Sequence, residues 1–106
     1  MTASPDPIQV AADEAISSWP GVRAKQVFGH RGYVRGGKMF AFIASPGLAV
    51  KAAADIAEPL YASGEAVPFV YRASTEMRGW PVLPLHDDAS LTRALSAARE
   101  AFDAAS

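Results

Sequence analysis

The residues with the most chemistry to offer lie between positions 23 and 51, where Arg23, Lys25, Arg31, Arg35, Lys38 and Lys51 follow one another with no acidic residue between Glu14 and Asp55. Tyr33, Phe40 and Phe42 are interleaved with them, as are Gly29 with Gly32 and Gly36 with Gly37. Cations beside aromatic rings and backbone-exposing glycines hold single-stranded nucleic acid or a phosphorylated ligand, by charge and by stacking. Arg31, Tyr33, Arg35, Lys38, Phe40 and Phe42 are therefore the candidate binding residues. Against nucleic acid stand a formal charge of −1 and a pI near 6.1, since domains of that kind are commonly far more basic. Basic side chains on a solvated sheet edge have a plainer use, which is to discourage pairing between copies.

Other chemistry has less to build on. Gly29-His30-Arg31-Gly32 has the GXXG form of a KH loop, and Gly36-Gly37-Lys38 ends like a phosphate loop. A KH loop joins two helices and a phosphate loop precedes one, whereas these glycines lie between predicted strands. His30, His86, Asp87 and Asp88 are the candidates for metal or acid–base chemistry. The run at 86–88 also introduces a helix, where carboxylates satisfy free amides and complement the dipole. Without cysteine there is no thiolate nucleophile, disulfide or Cys-ligated zinc. Neither HExxH nor a serine elbow is present. The expectation is a domain that is not an enzyme, with no catalytic residues, no metal and no cofactor.

The elements that must position these residues can be read from pattern. Ile8, Ala11, Ala12, Ala15, Ile16 and Trp19 recur at helical spacing, with Asp6 as N-cap and Pro7 at the first helical position. Pro20-Gly21 stops that helix. Val22–Phe28 and Gly32–Ala44, interrupted by Gly36-Gly37, predict three strands. A two-residue turn at the glycines sets Arg35 opposite Lys38, Val34 opposite Met39, Tyr33 opposite Phe40 and Gly32 opposite Ala41. Strict alternation then gathers Tyr33, Phe40 and Phe42 on one face and Val34, Met39, Ala41 and Ile43 on the other. Leu48–Lys51 predicts a short strand and Asp55–Ala62 a short helix with Ile56 and Leu60 inward, Asp55 as a cap and Gly64 as its end. Pro59 argues that this helix starts later than the alanine run suggests. Pro68–Arg72 and Gly79–Leu85 are the last strands, and Pro81 and Pro84 argue for an edge. Trp80, after Gly79, is expected to fill the gap between sheet and short helix, and Arg78 offers a cation–π contact. Leu91, Ala94, Leu95, Ala98, Phe102 and Ala105 make a closing amphipathic helix from Ser90, or from Asp88 one turn earlier.

The 106 residues include 50% in the hydrophobic class, 22 residues of it alanine. That length suits one domain able to bury roughly 65% of its unfolded surface. The reading is an α+β class, a largely antiparallel sheet of five to six strands with helices on one face, residues 1–7 being a flexible leader and 8–106 a single domain. No run reaches the roughly 20 apolar residues of a membrane span, and the start lacks the basic and apolar regions of a signal peptide. A cytoplasmic protein with no membrane association is expected.

Val27-Phe28-Gly29, Gly32-Tyr33, Gly37-Lys38-Met39-Phe40-Ala41, Leu48-Ala49-Val50-Lys51, Val67-Pro68-Phe69 and Met77-Arg78-Gly79-Trp80-Pro81-Val82 stand in an order that resembles the TfoX amino-terminal domain family, from about Val22 to Ala104. The resemblance implies a two-layer α+β sandwich of the kind shared with YjbR-like proteins and secretion chaperones. It brings no catalytic residues. The founding members regulate natural competence together with a transcription activator, and they carry a second, helix-hairpin-helix domain for which these 106 residues have no counterpart. A small interaction domain is therefore expected, binding a protein partner or a second copy of itself through the sheet surface. Nucleic acid or a phosphorylated ligand on the hairpin at 23–42 is the alternative.

Overall fold

A computed structural model describes residues 6–27, 29–44, 47–71 and 75–105. Helix α1 (Pro7–Ser17) begins as its sequence asks: the Asp6 carboxylate accepts from the Ile8 N–H at 2.9 Å, and Pro7 occupies a position whose N–H has no helical partner. Gly21 takes a φ of 79° and turns the chain into β1 (Val22–Val27). β2 (His30–Arg35) and β3 (Lys38–Ala44) come next, then β4 (Gly47–Val50), α2 (Ala54–Ser63), β5 (Val67–Tyr71), β6 (Thr75–Pro84) and α3 (Asp88–Ala104). The leader expected before α1 lies largely outside the described residues.

The six strands form one antiparallel sheet in the order β1-β2-β3-β4-β6-β5, which confirms the α+β class. Its main core holds Ala12 and Ile16 of α1, Ala94, Ala98 and Phe102 of α3, and Tyr33, Phe40, Leu48, Val50 and Leu83 of the sheet. Leu60 and Tyr61 of α2 pack on the same cluster. A second, smaller cluster of Phe42, Ala44 and Ala49, with Met39, Phe69, Trp80 and Val82 against it, contains no helical residue. The helices therefore cover one face of the sheet, and the second cluster occupies the other.

Gly36 and Gly37 both have positive φ, 59° and 79°, and set Arg35 opposite Lys38 and Val34 opposite Met39 as expected. Beyond that pair the register departs from strict alternation. Tyr33 is opposite Ala41, and Gly32 is opposite Phe42, so Phe40 is an extra residue in β3. Such a bulge puts two successive side chains on one side and reverses all those after it. Phe40, Ala41 and Ile43 thus join Tyr33 beneath the helices, while Met39, Phe42 and Ala44 lie on the far face. The expectation of a common face for Tyr33, Phe40 and Phe42 is corrected on this point.

Four further expectations change. β6 is an interior strand, not an edge, and starts at Thr75. Its prolines are tolerated because Pro81 faces Pro68 just where the register slips, and Pro84 ends the strand. α2 starts at Ala54 with Pro59 inside it; Ala53 is the N-cap without a side-chain bond, and Asp55 sits in the first turn, where its charge suits the dipole. Ile56 is 47% exposed, not inward. Trp80 lies on the helix-free face, and the close approach at Gly79 is to the segment before α2, whose Ala52 N–H donates to the Gly79 carbonyl at 2.9 Å. Gly64 ends α2 in the left-handed region as predicted, at a φ of 79°. Asp87 caps α3, accepting from the Ser90 N–H at 2.7 Å. Among the described residues no helix is long and apolar enough to cross a membrane.

Candidate functional site

The six hairpin residues do not form one patch. Tyr33 and Phe40 are 0% and 1% exposed, with Phe40 stacked on Trp19 at 6.3 Å and edge-on to Phe102 at 5.6 Å. Arg35 lies over the Phe102 ring, 4.0 Å from its centroid, and its Nη1 donates to the Phe102 carbonyl at 2.7 Å. That places a cation at the C-terminal end of α3, where the dipole favours it. Arg31 pairs with Asp13 of α1, and the Tyr33 hydroxyl donates to the same carboxylate oxygen at 2.7 Å. Lys38 is exposed at the turn. Phe42 is on the opposite side of the sheet.

Asp13 is thus a fastener between α1 and β2. Burial pushes its carboxyl upward, but the hydrogen bonds from Arg31 and Tyr33 and the Arg31 charge outweigh this and hold it below its ordinary value. Burial first, and Asp13 second, push the Tyr33 phenol well above its own. A carboxyl whose pKa falls on folding adds stability that is complete above an unfolded value of about 4 and is lost as pH falls through the folded value. Asp13→Asn keeps an acceptor for Tyr33 but removes that charge. In urea unfolding, the stability gap between wild type and Asp13→Asn should be clear at pH 7 and shrink toward pH 3. A gap independent of pH would show that the pair with Arg31 contributes nothing.

The helix-free face carries a different set of groups. The Phe42 ring is edge-on to Phe69 at 4.9 Å, tilted on Trp80 at 5.3 Å and on His30 at 5.6 Å. His30 in turn meets Phe69 at 5.7 Å. These side chains come from β2, β3, β5 and β6, and Met39 and Val82 pack beside them. Cross-strand partners share a face, so Lys25, Gly32, Phe42, Ala49, Val82 and Val67 form one row across all six strands. Val67 is 62% exposed at one end of the row. Arg23, opposite Val34, stands beside Lys25 at the other. The register places no acidic side chain on this face among the described residues.

On the helical side, a groove of about 460 Å³ runs between α2 and α3 over β4 and β6. Val50, Ile56, Leu60, Leu83, Ala97 and Ala101 line it, and Lys51, Arg93, Glu65 and Glu100 give its margin both signs of charge. His86 and Asp87 are near each other, with Nδ1 and Oδ2 3.4 Å apart, but His30 belongs to the aromatic cluster on the sheet. Arg78 lies over the ring of Tyr61, 4.7 Å from its centroid, a partner the sequence does not point to, and pairs with Glu58 at 2.8 Å. Sequence reasoning missed the role of Phe69 and Trp80 beside Phe42, because it placed Trp80 under a helix. The available signal was the apolar alternation of Val67, Phe69 and Tyr71 on a strand with no helix directly after it.

Comparison with known families finds one description: the model of the TfoX N-terminal domain matches residues 14–105. No curated protein matches the chain.

Proposed function

The chain belongs to the TfoX N-terminal domain family, and from that premise we propose that it is a cytoplasmic, non-catalytic interaction domain that docks a protein surface, its own copy included, on the helix-free face of its sheet. The observation that carries this reading is the cluster of Phe42, Phe69, Trp80, Met39 and Val82 on a face to which no described helix contributes a side chain. Phe42, Ala44 and Ala49 are buried by the rings around them, and Met39, Phe69, Trp80 and Val82 stay half-buried with no described helix above them, leading out to the exposed Val67. Apolar surface gathered in one place is the usual mark of an interface. Two such sheets can pack face to face about 10 Å apart, the spacing of an ordinary β-sandwich. Of the candidates for acid–base chemistry, Asp87 caps α3, Asp88 lies in its first turn and His30 packs on Phe42 and Phe69. A regulatory role reached through protein contact is consistent with this.

Light scattering over a range of concentrations tests the reading. Wild-type mass should rise toward that of a dimer, or the chain should retain a specific partner, and Val67→Asp should abolish whichever association occurs. Val67 is exposed on an edge strand, so the substitution spares the fold. A wild-type chain that stays monomeric and retains nothing sensitive to Val67→Asp would overturn the proposal.

A further inference from the structure

The two edges of the sheet are built differently. β5 (Val67–Tyr71) has Pro68, which lacks an N–H, and its register slips immediately afterwards. These are common devices for blunting an edge. β1 (Val22–Val27) has neither proline nor bulge: its six residues pair with β2 in unbroken register, and among the described residues no strand lies on its other side. Arg23, Ala24, Lys25 and Gln26 are all exposed. Every second residue of such an edge turns its N–H and C=O outward, ready to bond another strand. Arg23 and Lys25 share one face, and neither has a carboxylate partner among the described residues.

We propose that β1 takes an extended acidic peptide segment as a seventh strand, with carboxylate side chains at alternate positions opposite Arg23 and Lys25. This rests on the reading of the chain as a protein-binding domain and names the chemistry of the partner. Main-chain bonds supply the adhesion in strand addition, and the alternating side chains supply the choice of partner. A second copy is the wrong occupant for this edge. Antiparallel pairing of two β1 strands about Ala24 sets Arg23 of each against Lys25 of the other, and like charges directly opposite repel. An acidic strand meets the same two cations with attraction. Nucleic acid would meet them too, but it has no strand to add.

The probe is a fluorescently labelled ten-residue peptide alternating glutamate with threonine, compared with its lysine counterpart by anisotropy, with amide exchange as the structural readout. The glutamate peptide should bind the wild-type chain and slow exchange of the outward-facing β1 amides, while the lysine peptide should not bind. The double variant R23E/K25E should weaken the glutamate peptide at least about tenfold and accept the lysine peptide. Lys25→Glu sets opposite charges across the two-fold pairing, and in the Val67→Asp background, where the helix-free face no longer associates, light scattering should show it dimerising. No binding by the glutamate peptide, binding indifferent to R23E/K25E, slowed exchange elsewhere than β1, or capture of a single-stranded oligonucleotide in the peptide's place would overturn the proposal. Val67→Asp, on the far edge, should leave peptide binding intact. A chain that associates through its helix-free face yet ignores the peptide rejects the edge alone.

Discussion

Replacing Phe40 with alanine should remove about 3–5 kcal/mol of stability, the range for deleting a fully buried aromatic side chain. Small domains have only about 5–15 kcal/mol in total, so the variant should melt about 12 °C or more below wild type. The cost is high because Phe40 touches the helical layer at two points: Trp19, just beyond α1, and Phe102 in α3. Few other large groups can fill the space, since α3 presents alanines at 94, 98 and 101 to the core. A double-mutant cycle tests the placement directly. Phe40→Ala and Phe102→Ala should be coupled by about 0.5–1.5 kcal/mol, whereas Phe40→Ala and Phe42→Ala should add to within about 0.5 kcal/mol, having no shared partners. Stronger coupling of Phe40 to Phe42 than to Phe102 would put the two rings back on a common face and remove the bulge.

Gly47→Ala should be the second severe substitution, although it adds a single methyl group. A Cβ built on Gly47 would stand 2.5 Å from the Leu83 carbonyl oxygen and 2.7 Å from Val82 Cγ1. The valine methyl can swing aside; the backbone oxygen moves only if β4 separates from β6. Overpacking of this kind costs about 1–3 kcal/mol. Its location makes it worse, because β4 and β6 are matched only over Gly47 to Ala49, and that short ladder joins β1–β4 to the β5–β6 hairpin. Gly79→Ala is the control: its nearest atom, the Ala52 carbonyl oxygen, is at 3.8 Å, an ordinary contact. Urea unfolding should separate the two, and amide exchange at Val82 and Leu83 should accelerate only in Gly47→Ala. A Gly47→Ala protein as stable as Gly79→Ala would mean that the two strands are less closely packed than this approach requires.

Much of the scaffold could be read along the chain because it depends on near neighbours. Asp6-Pro7 opens α1, Gly36-Gly37 turns the hairpin with both residues at positive φ, Gly64 ends α2 and Asp87 opens α3. Each of these is a local bond or dihedral that the residue type nearly dictates. Family membership was legible for a similar reason, as an order of short motifs between Val27 and Val82, inside the residues 14–105 that the family model matches. The proline argument for β6 failed because it assumed a regular ladder. A Pro81 facing Pro68 at a slip in register leaves no donor missing that regular pairing would have used there.

The chain's residue types and their spacing were enough to establish the class, the order of elements and the concentration of positive charge near β1 and β2. Which rings face the helices, which strand is interior and which cations are engaged by the helical layer were settled by folding. The bulge at Phe40 belongs to a pair of strands, and no period along one strand reveals it. Arg31 and Arg35 leave the candidate surface only because α1 and α3 come to rest beside them, with Asp13 and the Phe102 carbonyl as their partners. Arg23 and Lys25, equally basic and near in sequence, stay available because they stand on the other face of the same sheet.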